Sequence, residues 1–345
     1  MKPLRIGVGL MIVVIVLARC GSELPPSTPY GFEVAQTLAT LPPTATTSAT
    51  TTPPLMSTSQ PTSPPPSPTI ATRSTPPASI ARYIGHNVVE GETIAVLAQR
   101  GGSSADLIKR YNRLTREPQP GRELIIPQLD GQSSEYRSEK LMVTHGHTDK
   151  PWIAWTFDCG GKNAGGPKIL DALRTLNITT TFFILGDSII ENPAVLRQMV
   201  ADGHEIAHHS YTHRSFPTLT PEEMLDELQR TEQVINEIVG PDVAVRPYFR
   251  FPYGEYNPLA LQTVIGAGYV PIHWTLDGRD SYGTELSPPK AIERRLTTFL
   301  VDDELPGAIL LSHCVERTAS IVPNVIAYYT AKGYEFHTLS EVLER

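Results

Sequence analysis

Two histidines four apart, His209 and His213, sit in the run His208-His209-Ser210-Tyr211-Thr212-His213, and another, His313, stands beside Cys314. Carboxylates and an arginine complete the set: Asp158, followed by Cys159; Arg250 in Arg250-Phe251-Pro252-Tyr253-Gly254; Asp277 and Asp280. Imidazoles and carboxylates ligate divalent ions, and the same groups, held in place, move the protons of a hydrolysis. Taken singly each is ordinary, and a His-x-x-x-His pair is more often solvated or packed than ligating. Together they compose a metal-assisted hydrolytic site, provided the chain brings them to one place.

The elements that must do so are legible as short apolar runs alternating with amphipathic stretches. Trp152–Phe157, Thr180–Leu185, His204–Ala207, Val245–Phe251, Tyr269–Trp274 and Ala308–Leu311 read as strands. Residues 167–176, 193–201, 221–239, 259–265, 291–300 and 322–331 read as helices, the third capped by Thr220 and Gly240. Such alternation predicts a parallel α/β sheet or barrel, whose sites gather at the C-terminal ends of the strands. The polar clusters fall there: Asp158 after the first strand, the histidine run after the third, Arg250 to Gly254 closing the fourth, the aspartates after the fifth and His313 after the last.

Thr156-Phe157-Asp158-Cys159-Gly160, His209-Ser210-Tyr211-Thr212-His213, Arg250-Phe251-Pro252-Tyr253-Gly254, Asp277-Gly278-Arg279-Asp280 and Leu311-Ser312-His313 stand in the order of five motifs. In that order they resemble the polysaccharide deacetylases, carbohydrate esterase family 4, over about 190 residues. The resemblance implies an irregular (β/α) barrel that removes acetyl groups from N-acetylated or, in some members, O-acetylated sugars. It implies that His209 and His213 hold a divalent ion, Zn²⁺ by preference, and that Asp158 is the general base. His313 is then the acid that protonates the departing amine, and the backbone N–H of Tyr253 helps to stabilise the oxyanion. Arg250 and Asp280 orient Asp158 and His313 and keep them ionised, and Leu311 lines the slot for the acetyl methyl.

Two positions depart from that pattern. Ser281 stands where the family commonly has a tryptophan. Cys159 replaces the second aspartate of the first motif, the third metal ligand of the family. Three states are open for it: a thiolate ligand, a bystander to a two-histidine site completed by water, or a disulfide partner of Cys314. Metal ligation by Cys159 is the expectation taken forward, because an anionic ligand offsets the charge of the ion.

Residues 83–128 carry a second pattern. A strand at His86–Val89, a turn at Glu90-Gly91-Glu92, helices opened by Thr93 and by Ser104 or Asp106, and a strand ending at Pro127 give a βααβ order. Val89-Glu90-Gly91-Glu92-Thr93, Leu107, Tyr111-Asn112 and Pro120-Gly121-Arg122-Glu123-Leu124-Ile125-Ile126-Pro127 resemble a LysM module. The resemblance implies binding to N-acetylglucosamine-containing glycan, peptidoglycan or chitin. Residues 129–150 read as a polar linker, with His145 and His147 as solvated side chains, and residues 151–345 as the deacetylase-like domain.

Upstream, Lys2 and Arg5 precede thirteen residues without a polar side chain, Ile6 to Ala18, which suits an export signal over 1–20. Leu17-Ala18-Arg19-Cys20 resembles a lipoprotein cleavage box, which would put a lipid on Cys20 and the protein on a membrane. Residues 21–82 read as a disordered tether: 14 prolines and 22 Ser or Thr fall between 24 and 79, with only Glu33 and Arg73 charged. Past residue 20 the chain has 26 basic against 36 acidic residues, which argues against nucleic-acid binding. The expectation is an extracytoplasmic cell-envelope enzyme, lipid-anchored or secreted, that deacetylates peptidoglycan. The alternatives are an inert wall-binding protein of the same fold and an esterase on O-acetylated polysaccharide.

Overall fold

The computed structural model describes residues 79–160, 164–281 and 287–344. The export signal, Cys20 and all but the end of the tether lie outside the described residues. Among the described residues no helix is long and apolar enough to cross a membrane.

The chain first makes β1 (Ile80–Asn87), α1 (Ile94–Gly101), α2 (Ala105–Tyr111) and β2 (Glu123–Leu129), with β1 antiparallel to β2. Both helices start where a side chain can accept an orphan N–H: Thr93 accepts from Val96 and Ser104 from Leu107. Ile84, Ile94, Leu97, Ile108, Leu124 and Ile126 close a small core between hairpin and helices.

The rest alternates strand and helix: β3 (Trp152–Cys159), α3 (Gly166–Thr175), β4 (Thr181–Ile184), α4 (Gly186–Glu191), α5 (Pro193–Ala201), β5 (Glu205–His208), α6 (Pro221–Val239), β6 (Tyr248–Phe249), α7 (Pro258–Gly266), β7 (Val270–Pro271) and β8 (Leu276–Asp277). It ends in α8 (Pro289–Thr298), β9 (Ile309–His313), α9 (Glu316–Ala319), α10 (Val322–Ala331), β10 (Glu335–Phe336) and α11 (Leu339–Val342). All pairings in this sheet are parallel, in the order β7-β6-β5-β4-β3-β9-β8, with β10 added beside the start of β3. The expected irregular (β/α) barrel is what forms. Because strand side chains alternate, Ile153, Trp155 and Phe157 enter one apolar cluster with α3 and α10, while Ala154 joins Phe183, Ala207 and Ile309 in another.

The segment read as a polar linker packs against the fold at its C-terminal half. Leu141 and Val143 are buried, and Val143 bridges Ile272 as a parallel extension beside β7. His145 and His147 are half-buried and hydrogen-bonded rather than free in solvent. The ring nitrogens of His145 meet the Thr275 hydroxyl and the Pro306 carbonyl, and His147 meets Glu123 at 2.8 Å.

Candidate active site

A cleft of about 700 Å³ opens at the C-terminal ends of β3, β5 and β9. Asp158, His209, His213, Tyr253, Asp277, Ser281, Leu311 and His313 line it, so eight of the residues singled out in the sequence meet on one surface. Arg250 and Asp280 do not line it; both are fully buried behind the residues they serve.

Asp158 and His313 face each other in register on the neighbouring strands β3 and β9. Arg250 Nη1 donates to Asp158 Oδ1 at 2.7 Å, and its Nη2 donates to the His273 carbonyl at 3.1 Å. Burial alone would raise the Asp158 carboxyl, but the charge of Arg250, with His209 and His313, outweighs it and holds the pKa below the ordinary carboxylate value. His313 is the mirror case. Its Nδ1 lies 2.7 Å from Asp280 Oδ1, and Asp280 Oδ2 accepts the His313 backbone N–H at 2.7 Å and the Thr318 hydroxyl. Burial pushes the imidazolium toward losing its proton; the hydrogen bond and charge of Asp280, joined by Asp158 and Asp277, prevail and raise the pKa.

His209 and His213 follow β5 on an irregular turn rather than on a helix. Ser210 and His213 take positive φ of 71° and 60°, a conformation that needs outside support. Glu227 on α6 gives it, accepting the N–H groups of Tyr211 and Thr212 at 2.8 Å each and the Thr212 hydroxyl at 2.5 Å. Nothing in the sequence distinguishes Glu227 from the other acids of an amphipathic helix; only its 3% exposure does. His209 Nδ1–H donates to the Arg250 carbonyl at 3.0 Å, which leaves Nε2 as the free-lone-pair nitrogen, 3.5 Å from Asp158 Oδ2. Burial lowers the pKa of His209, and burial with the neighbouring His209 takes His213 down to about 4, so both rings are neutral at neutral pH. His208 is a packing residue: Nε2–H donates to the Leu228 carbonyl at 2.9 Å and Nδ1 accepts from Ser210 N–H.

Two neutral imidazoles suit a divalent ion. The expected third ligand does not. Cys159 is bonded to Cys314, with Cα atoms 5.0 Å apart, and at 1% exposure it lies in the apolar cluster with Phe157, Ile169 and Leu170 rather than on the cleft wall. Alternation along β3 is the reason, since it turns Cys159 away from the side that Asp158 faces. A half-cystine sulfur is no thiolate, so in this pairing Cys159 offers a metal no anionic ligand. Among the described residues no group of three or more His, Cys, Asp or Glu side chains is arranged around one ion.

The cleft walls add Trp274 and Glu255, which motif reading passed over. Tyr253 takes φ 60° in the short turn Pro252–Gly254. A Cβ on Gly254 would come within 2.7 Å of Trp274, so glycine there lets the turn close against the indole. Tyr253 (59% exposed), Trp274 and Glu255 stand around the mouth. Asp277 also lines the cleft, its pKa raised by burial. Ser281 Oγ lies 3.1 Å from His313 Nε2.

The polysaccharide deacetylase family profile matches residues 145–272. A chitooligosaccharide deacetylase of Bradyrhizobium sp. is 30% identical over 202 residues, which are 54% of this chain and 88% of that protein. The chain belongs to the polysaccharide deacetylase family. Among other polysaccharide deacetylases, the peptidoglycan-N-acetylglucosamine deacetylase of Bacillus cereus is 26% identical, covering 58% of this chain and 70% of that one. The structure of Bacillus subtilis PdaA, a family 4 carbohydrate esterase, superposes with a TM-score of 0.52 at 27% identity, over 59% of this chain and 84% of that chain.

Proposed function

We propose that this protein is a cell-wall polysaccharide N-deacetylase that acts on the N-acetylated sugars of peptidoglycan. The observation that carries the reading is the facing pair: a carboxylate, Asp158, and an imidazole, His313, in register across one cleft, the first paired with buried Arg250 and the second with buried Asp280. A divalent ion, zinc by the nitrogen donors, would be held by His209 and His213, with its remaining positions left to water and substrate; when bound it would supply Lewis-acid polarisation and a water of lowered pKa.

The chain's own residues do the rest. With Oδ1 committed to Arg250, Asp158 offers Oδ2 to take the proton of the attacking water. His313 gives the Nε2 proton to the departing amine, and Asp280 offsets the imidazolium charge. The Tyr253 N–H is the oxyanion donor of this reading, and Leu311 packs against the acetyl methyl. The βααβ unit resembles LysM and would bind the same glycan, with the protein exported to the envelope and held there by its N-terminus.

The full chain supplied with divalent zinc should release acetate from peptidoglycan fragments, and acetylated xylan serves as the comparison substrate. Glycan binding without acetate release under any divalent metal would overturn the enzyme reading and favour an inert wall-binding protein, for which the missing third ligand speaks.

A further inference from the structure

We propose that Ser281, His313 and Asp280 form a nucleophile–base–carboxylate line that hydrolyses acetyl esters in this cleft without a metal ion. This inference shares the cleft and His313 with the reading above but not its metal, so each can fail alone.

The distances are those of an activated hydroxyl. Ser281 Oγ lies 3.1 Å from His313 Nε2, and His313 Nδ1 lies 2.7 Å from Asp280 Oδ1. Both fall within the roughly 2.6–3.2 Å reach that joins a nucleophile to its base and the base to its orienting group. Asp280 cannot turn away, because its other oxygen already accepts the His313 backbone N–H and the Thr318 hydroxyl. A carboxylate fixed on Nδ1 keeps the proton there. In the neutral ring Nε2 is then the acceptor, and the Ser281 hydroxyl is the donor it meets. Ser281 is solvent-accessible and lines the cleft beside Leu311 and Val315.

Deacetylation of an amide gives this hydroxyl no task, since His313 Nε2 must there face the departing amine. The Cys159–Cys314 disulfide supplies a second argument, for it withdraws the anionic third ligand on which the metal route relies in the family. A serine line needs no such ligand.

The chemistry balances with water as the only co-reactant. As Ser281 Oγ bonds to the acetyl carbonyl carbon, its proton passes to His313 Nε2. The ester C–O bond then breaks, and the alcohol leaves with that proton. Water attacks the acetyl-serine, His313 takes its proton and returns it to Ser281 Oγ, and acetic acid departs. The substrate class is O-acetyl ester, on a sugar or an activated alcohol, because an alkoxide leaves more readily than an amide anion.

The test uses the full chain stripped by chelator, with 4-nitrophenyl acetate as probe. Nitrophenol release should continue in chelator, and rapid acid quenching should trap one acetyl group on Ser281, mapped by peptide mass. Ser281→Ala should lose the adduct and slow release by about 10²-fold or more, whereas Ser281→Cys should still acylate. Release only in the presence of metal, an acetyl group on any other residue, or an undiminished rate in Ser281→Ala would overturn the proposal. Acetate release from N-acetylated oligosaccharide by the zinc-loaded chain is measured separately and reports on the amide reaction alone.

Discussion

Asp158 and His313 hold charge states that free aspartate and histidine would hold less firmly, and both owe this to one buried neighbour. If they are base and acid, Asp158→Asn and His313→Ala should each lower acetate release by about 10²-fold or more, with circular dichroism unchanged. The pH profile carries the same logic. Asp158 sits below its ordinary value of 3.8, so it remains a base through neutral pH. His313 sits above 6.5, so acetate release should hold and then fall as pH rises through the raised value. Asp280→Asn removes the anion that raises it, and the fall should move to lower pH. A profile unmoved in Asp280→Asn would dismiss His313 as the acid. The placement of these residues in the cleft was legible in the sequence because motif order put each at a strand end. Ser281 was visible only as a departure; its contact with His313 needed the fold.

At the scale of elements, two devices brace the cleft. The disulfide joins the end of β3 to the residue after β9, one step beyond the Asp158–His313 pair, and closes a loop 155 residues long. Replacing both cysteines by serine should cost about 2–4 kcal/mol of stability, read as a lowered denaturant midpoint. Reducing agent should lower the wild-type midpoint and leave the double variant alone. The other device is α6, which reaches over with Glu227 to hold the turn of the two histidines. Glu227→Ala removes the acceptor of two part-buried N–H groups and should cost about 1–3 kcal/mol, with metal retention, measured by atomic absorption, weakened in step. Retained metal and stability in that variant would mean that the turn holds itself. Helix α6 was predicted over the same residues as it occupies, 221–239, since proline at its first turn, the Thr220–Glu223 capping box and Gly240 mark both ends. The short strands β6, β7 and β8 were overextended or missed, because buried strands of two residues leave no periodicity to read.

For the whole molecule, the βααβ unit is no bead on a string. Arg113, in the turn after α2, donates to the carbonyls of Arg246, Ile206 and Ala244 and pairs with Glu205 at 2.8 Å. Tyr111 donates to the Gly268 carbonyl, and Thr115 meets Glu344 at 2.6 Å through both N–H and hydroxyl. The barrel thus completes its base with this unit. Removing residues 79–128 should therefore lower stability and turnover of soluble oligosaccharides together, rather than affect binding to insoluble wall alone. Normal turnover in the truncated chain would restore the picture of an independent module.

The sequence by itself determined the strand–helix alternation, the ends of the longer helices, the family and the motif residues of the cleft, because each rests on local periodicity, on capping chemistry or on an ordered motif. The tertiary structure decided which way Cys159 points, what Glu227 holds, where Ser281 Oγ rests and how tightly residues 129–150 are packed. Those facts depend on which strands become neighbours and on which face of a strand each side chain occupies, and such long-range pairing leaves no mark in the spacing of residues along the chain.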